Sequence, residues 1–120
     1  MKLISPRTHG YLDFLTVLIF LLAPTLLNLS SVPALLSYSL AGAHLIVTLI
    51  SGFPVAAVKL IPFTVQGWVE RIVGPVLIAA PFVFNFFDEI FARNFYFTMG
   101  AIIIIVGLLT DYQGNNRSYR

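Results

Sequence analysis

Ser37, Ala41, His44, Thr48 and Ser51 follow one another at spacings of four, three, four and three, which places them on one face of one helix. An imidazole among hydroxyls on a common face can relay protons or contact a small ligand. His44 also falls in the middle of an apolar run, where a polar ring needs a partner. The same pattern serves helix–helix contact, because small residues allow close approach and hydroxyl and imidazole groups bond across the interface. Contact is the preferred reading of this face, with relay or ligand contact as the alternative. A haem or other metal centre is not expected. The chain has two histidines, His9 at the start of the first helix and His44 about 13 Å inside its own helix at 1.5 Å per residue.

A second group stands at the entrance to two helices. His9 and Asp13 are one turn apart on one face, and Gln66 and Glu70 repeat that spacing further along. Asp13 and Glu70 then sit near helix N-termini, where the dipole favours an anion. They are expected to cap helices and pair with Arg7, Arg71 or Lys59; the alternative is an anion pair at a small polar entrance. Arg71 adjoins Glu70, points about 100° away from it, and is expected to reach headgroups or Asp13. No serine has a motif context that pairs it with His9 or His44, and the chain has no cysteine nucleophile. The residues therefore predict no enzyme, no cofactor and no metal.

The elements that hold these residues are written twice. Residues 2–24, KLISPRTHGYLDFLTVLIFLLAP, align without a gap on residues 59–81, KLIPFTVQGWVERIVGPVLIAAP, and Asn28 then falls on Asn85. Internal repeats are read at 2–53 and 59–112, followed by a polar cytoplasmic tail at 113–120. Each repeat predicts two membrane helices, at 10–29 and 34–53 and at 65–86 and 92–110, with an amphipathic connector at 54–64. Each span suffices for the roughly 30 Å hydrocarbon core. Pro24 and Pro81 recur inside the first helix of each pair, and each frees a carbonyl one turn back.

Composition agrees with lipid as the solvent. Of 120 residues, 58% are hydrophobic and 10% charged, against roughly 25% charged in an average soluble domain. The Lys+Arg residues number 7 and are scattered, so there is no basic patch for nucleic acid. The N-terminal run carries Asp13 and recurs internally, so it is read as a mature helix and not as a cleaved signal. Lys2, Arg7, Lys59, Arg117 and Arg120 fall on one side and Asp88, Glu89 and Arg93 on the other, which predicts a cytoplasmic membrane location with both termini cytoplasmic. The predicted fold is an all-α integral membrane protein of one domain, its four transmembrane helices forming two tandem parallel-repeat hairpins in a compact bundle.

The runs GPVLIAAPFVFNF and VLIFLLAPTLLNLS, with Ala80-Pro81-Phe82 and Ala23-Pro24-Thr25 at their centres, resemble the SPW-repeat family of small bacterial and archaeal membrane proteins. The serine and tryptophan of that signature stand in neither copy. The resemblance implies repeated helix pairs and brings no activity with it. The preferred function is a structural or accessory protein that packs with itself, lipid or a larger membrane partner. The alternative is an oligomeric proton-coupled carrier or channel for a small solute, with His44 in mid-membrane and Asp13 and Glu70 at a cytoplasmic entrance.

Overall fold

The computed structural model describes residues 3–51 and 63–110, which form four helices: α1 (Pro6–Leu26), α2 (Ser31–Ser51), α3 (Phe63–Val83) and α4 (Ile90–Leu109). Residues 54–62 of the expected connector, the 113–120 tail, and Lys2, Lys59, Arg117 and Arg120 lie outside the described residues.

Local chemistry explains where the helices begin and end. α1 starts four residues earlier than the apolar run alone predicts, because Ser5 Oγ accepts the Thr8 N–H at 3.2 Å and Pro6 fills the first helical position. It ends three residues early because Asn28 turns the chain at a φ of 53°. The Leu27 and Leu29 N–H groups then donate to the Ala23 and Pro24 carbonyls at 2.8 and 3.0 Å. The end of α3 is built the same way: Asn85 has a φ of 60°, and the Phe84 and Phe86 N–H groups donate to Ala80 and Pro81 at 2.8 and 3.0 Å. α1 and α3 thus end 57 positions apart, whereas α2 and α4 begin 59 apart, so the second turn is two residues longer. On that register Ser37 corresponds to Tyr96, Ala41 to Gly100, His44 to Ile103 and Thr48 to Gly107, and all of these but His44 are buried.

α1 packs on α2 and α3 on α4, as two hairpins. Pro24 has no N–H for the Phe20 carbonyl one turn back. Ser37 Oγ donates to that carbonyl at 2.6 Å and ties α2 to α1. In the other hairpin Gly74 and Gly100 bring the backbones together: a Cβ on Gly100 would lie 2.8 Å from the Gly74 carbonyl oxygen. Val17, Phe20, Leu77, Phe86, Tyr96 and Met99 belong to the core between the hairpins, where the Tyr96 hydroxyl donates to the Pro33 carbonyl at 2.7 Å. At the end near the chain termini, Ile4 N–H donates to the Leu109 carbonyl at 2.8 Å.

Arg7–Leu26, Ser31–Ile50 and Ile90–Leu109 are long and apolar enough to cross a membrane. α3 is as long, at 21 residues, but Gln66, Glu70, Arg71, Pro75 and Pro81 lower its hydropathy, and it does not meet that measure. Leu15, Leu18, Ile46, Ile72, Val76 and Ile105 face outward. Such an apolar exterior suits a bundle embedded in lipid.

Candidate functional site

Helix geometry puts three of the polar residues on one level. Asp13, Glu70 and His44 are each seven residues from the end of their helix at Pro6, Phe63 and Ser51, a depth of about 10 Å at 1.5 Å per residue. These ends belong to the same side of the bundle. The earlier starts of α1 and α3 carry the two carboxylates deeper than the sequence predicts, to the depth of His44.

Asp13 is the hub of the cluster. Its Oδ1 lies 3.2 Å from His9 Nε2 and 3.1 Å from His44 Nε2. Glu70 closes the group, with Oε1 2.9 Å from His9 Nε2 and Oε2 4.0 Å from His44 Nε2. His9 is fully buried, Asp13 and Glu70 are each 4% exposed, and the His44 side chain is 14% exposed. The four groups come from α1, α2 and α3, so both hairpins must be in place to build them.

The residue that caps the C-terminal end of α4 supplies the fifth member. His9 Nδ1 lies 2.7 Å from Thr110 Oγ1, and the Thr110 hydroxyl donates to the Val106 carbonyl at 2.6 Å. A hydroxyl has one proton, and here it is committed to Val106, so Thr110 accepts from a protonated His9 Nδ1. The ring is thereby fixed with Nε2 between the two carboxylates.

Among the described residues, two clefts reach the cluster from opposite sides, both between the hairpins. One of about 170 Å³ lies between α1 and α4 and is lined by Leu12, Asp13, Thr16, His44, Glu70 and Ile103, among others. One of about 60 Å³ lies between α2 and α3, where Leu40, Ala43, Val47 and Val69 join His44, Glu70 and Ile103. His44, Glu70 and Ile103 border both.

The expected site residues therefore divide. His9, Asp13, His44 and Glu70 come together. Ser37 stands apart, its hydroxyl engaged by the Phe20 carbonyl. Thr48 is fully buried one turn from His44, and its hydroxyl has no hydrogen-bond partner among the described residues. Ser51 ends α2, and its side chain lies outside the described residues, as does that of Gln66. Arg71 is exposed and lies 5.0 Å from the centre of the Trp68 ring, away from Asp13. The carboxylates thus meet the two histidines in place of Arg7 or Arg71. Thr110 has no place in the sequence pattern, because a gap-free repeat alignment does not pair it with Ser51; the 59-position register of the second helices does.

This geometry corrects three expectations. His9, Asp13 and Glu70 each offer a ligand atom, all within 4.8 Å of one another, so they form a group able to hold a metal ion. Absence of a metal site was expected from the depths of the histidines alone, and that reasoning left the carboxylates out. A purely structural or accessory packing role is overturned by the same group, since helix contact alone has no need for two carboxylates and two imidazoles converging on one point. The exclusion of enzymatic chemistry falls with it, because a buried His–Asp–Glu group is a constellation that such chemistry uses.

The SPW repeat domain model matches residues 7–110, covering both hairpins where the quoted motif covers the first helix of each. Nothing among curated proteins or solved structures matches the chain. With its long apolar helices in paired arrangement, this multi-pass membrane protein belongs to the SPW repeat domain family.

Proposed function

We propose that the chain is the subunit of an oligomeric, proton-coupled carrier or channel for a small solute, with the His9–Asp13–His44–Glu70 cluster as its binding site. The observation that carries this reading is Asp13 Oδ1 shared by His9 Nε2 and His44 Nε2 at 3.2 and 3.1 Å, with Glu70 at 2.9 Å from His9. Two buried carboxylates about 10 Å inside a membrane need matching positive charge. Protons or a small cation supply it, and either can be exchanged where a cleft reaches the site. Both clefts do so.

In this proposal α3 is the fourth membrane span, and its charged residues are tolerated because Glu70 faces the bundle interior while Arg71 sits over Trp68. The two hairpins are parallel repeats, 2–53 and 59–112, related by an axis along the membrane normal. The protein lies in the cytoplasmic membrane with both termini cytoplasmic, so the cluster is nearer the cytoplasmic face. The clefts are small and mostly apolar, and a polar route across the membrane takes more than one copy.

The test is proton flux into vesicles containing the purified protein and a trapped pH-sensitive dye, driven by an imposed potential. Wild-type protein should acidify vesicles well above the protein-free rate. Asp13→Asn should lose at least about tenfold of that excess while keeping its helix content and its oligomeric mass. Wild-type flux equal to that of empty vesicles, or full flux in a folded Asp13→Asn protein, sinks the proposal.

A further inference from the structure

We infer that His9, Asp13 and Glu70 form a binding site for a divalent first-row transition-metal ion, with His44 bonded to the metal-facing oxygen of Asp13. The inference rests on the carrier reading only for the role of the ion as solute; the site itself stands on geometry. Three observations support it.

The first is spacing. Ligands about 2.0 Å from a tetrahedral ion lie roughly 3.3 Å from one another. The His9 Nε2 contacts to Asp13 and Glu70, at 3.2 and 2.9 Å, are within a few tenths of an ångström of that edge. Small outward shifts of the three side chains open the centre. Asp13 and Glu70 also border the α1/α4 cleft together with His44, so water or an exchanging ligand can reach the site from there.

The second is the support behind His9. Metal-bound histidines characteristically donate their other ring N–H to a fixed acceptor, which sets the tautomer and aims the lone pair. Thr110 accepts from Nδ1 at 2.7 Å, and its own proton is anchored on Val106. The Nε2 atom is the one left to face the carboxylates. Once Nε2 releases its proton, its lone pair is directed at two anions, an arrangement that a cation taking the proton's place makes favourable.

The third is donor chemistry. Two carboxylates match the charge of a divalent ion, which suits a buried site. The imidazole favours zinc, iron, cobalt or nickel over magnesium and calcium, which take six or more oxygen ligands. Among the described residues this cleft has no such set of oxygens: beyond the two carboxylates, His44 and Thr16, whose hydroxyl donates to the Leu12 carbonyl at 2.8 Å, its lining is Leu12, Leu15, Ile19, Met99, Ile103 and other apolar side chains.

The experiment is equilibrium binding to the full chain in lipid nanodiscs, purified without a histidine tag. ZnCl₂ is the calorimetric titrant, MgCl₂ the comparison, and CoCl₂ a spectroscopic probe whose visible bands report ligand geometry. Wild-type protein should bind one Zn²⁺ per chain saturably, ignore Mg²⁺ at the same concentrations, and give tetrahedral-type Co²⁺ bands. Glu70→Gln should abolish both signals. Thr110→Val should weaken Zn²⁺ binding about 10–100-fold, and Thr110→Ser should restore it, a recovery that a general loss of folding could not produce. No saturable Zn²⁺ binding by the wild type overturns the site, as does unchanged affinity in folded Glu70→Gln or His9→Gln protein. Zn²⁺ binding without vesicle flux leaves the metal site and removes the carrier; proton flux without Zn²⁺ binding does the reverse.

Discussion

Pro24 and Ser37 show how one residue's missing donor fixes another's position. The Phe20 carbonyl lies where lipid or core surrounds it, and an unpaired carbonyl there is costly. Ser37, from the facing helix, makes the bond that the proline cannot, at 2.6 Å. Ser37→Ala should therefore destabilise the folded bundle by about 1–2 kcal/mol, read as a shift in the thermal or denaturant midpoint in one detergent. In a Pro24→Ala background the backbone N–H gained at that position serves the Phe20 carbonyl, so the same Ser37→Ala change should cost at most about half as much. Equal losses in both backgrounds would show that the hydroxyl acts in some other way. Within the polar cluster, His44→Leu makes a contrasting case. It removes one acid–base partner of Asp13, and vesicle flux should fall at least about tenfold with the midpoint changed less than by Asp13→Asn, which takes away the negative charge that faces both rings. Wild-type flux in a folded His44→Leu protein would remove His44 from the site.

Between helices, the close approach of α3 and α4 depends on glycine at positions 74 and 100. A methyl on Gly100 meets the Gly74 carbonyl oxygen at 2.8 Å and Ile78 Cγ1 at 2.7 Å, and the first of these is backbone that cannot step aside. Gly100→Ala should force the helices apart at a cost of about 1–3 kcal/mol. Gly42→Ala is the matched control, with nothing within 4 Å of its added carbon, and should be neutral or stabilising by up to about 1 kcal/mol. If the two variants melt together, close packing is not what holds this hairpin. The recurrent prolines were legible in the sequence because the gap-free repeat sets Pro24 on Pro81. Helix ends were less so: a hydropathy run does not reveal that the positive-φ turns at Asn28 and Asn85 end α1 and α3 three residues before the apolar residues stop. The site was half legible for the same reason. Polar residues at helical spacing singled out His9, Asp13, His44 and Glu70, but the common depth of Asp13, His44 and Glu70 depends on where α1 and α3 start, and that shift turns separate polar residues into one cluster. Thr110 was invisible, since its role depends on a tertiary contact 101 positions away in sequence.

Across the whole molecule, the hydrogen bond from Ile4 to Leu109 joins the two described ends of the chain on one side of the bundle. The turns carrying Ser30 and Glu89 meet on the other, through a 2.6 Å hydrogen bond from the serine hydroxyl to the carboxylate. Five cations from the sequence, Lys2, Arg7, Lys59, Arg117 and Arg120, belong to the first side in the proposed topology, against Arg93 with two acids on the second. In the proposed topology that asymmetry puts the first side in the cytoplasm, with the cluster about 10 Å from the ends of its helices on that side. The chain has no cysteine, so single cysteines can report the arrangement without background. Thr8, Ser30 and Asp88 are exposed positions for this purpose. A membrane-impermeant maleimide should label Ser30→Cys and Asp88→Cys in intact cells, and Thr8→Cys only after permeabilisation. The Asp88 result bears directly on α3, the least apolar helix. If α3 stayed on the cytoplasmic side, Asp88→Cys would behave like Thr8→Cys. The second turn could then not meet the first, and a carboxylate from α3 could reach α1 only by leaving the membrane. Labelling of Ser30→Cys and Asp88→Cys from the same side, with Thr8→Cys from the other, is therefore the condition on which both the four-span bundle and a shared Asp13–Glu70 site depend.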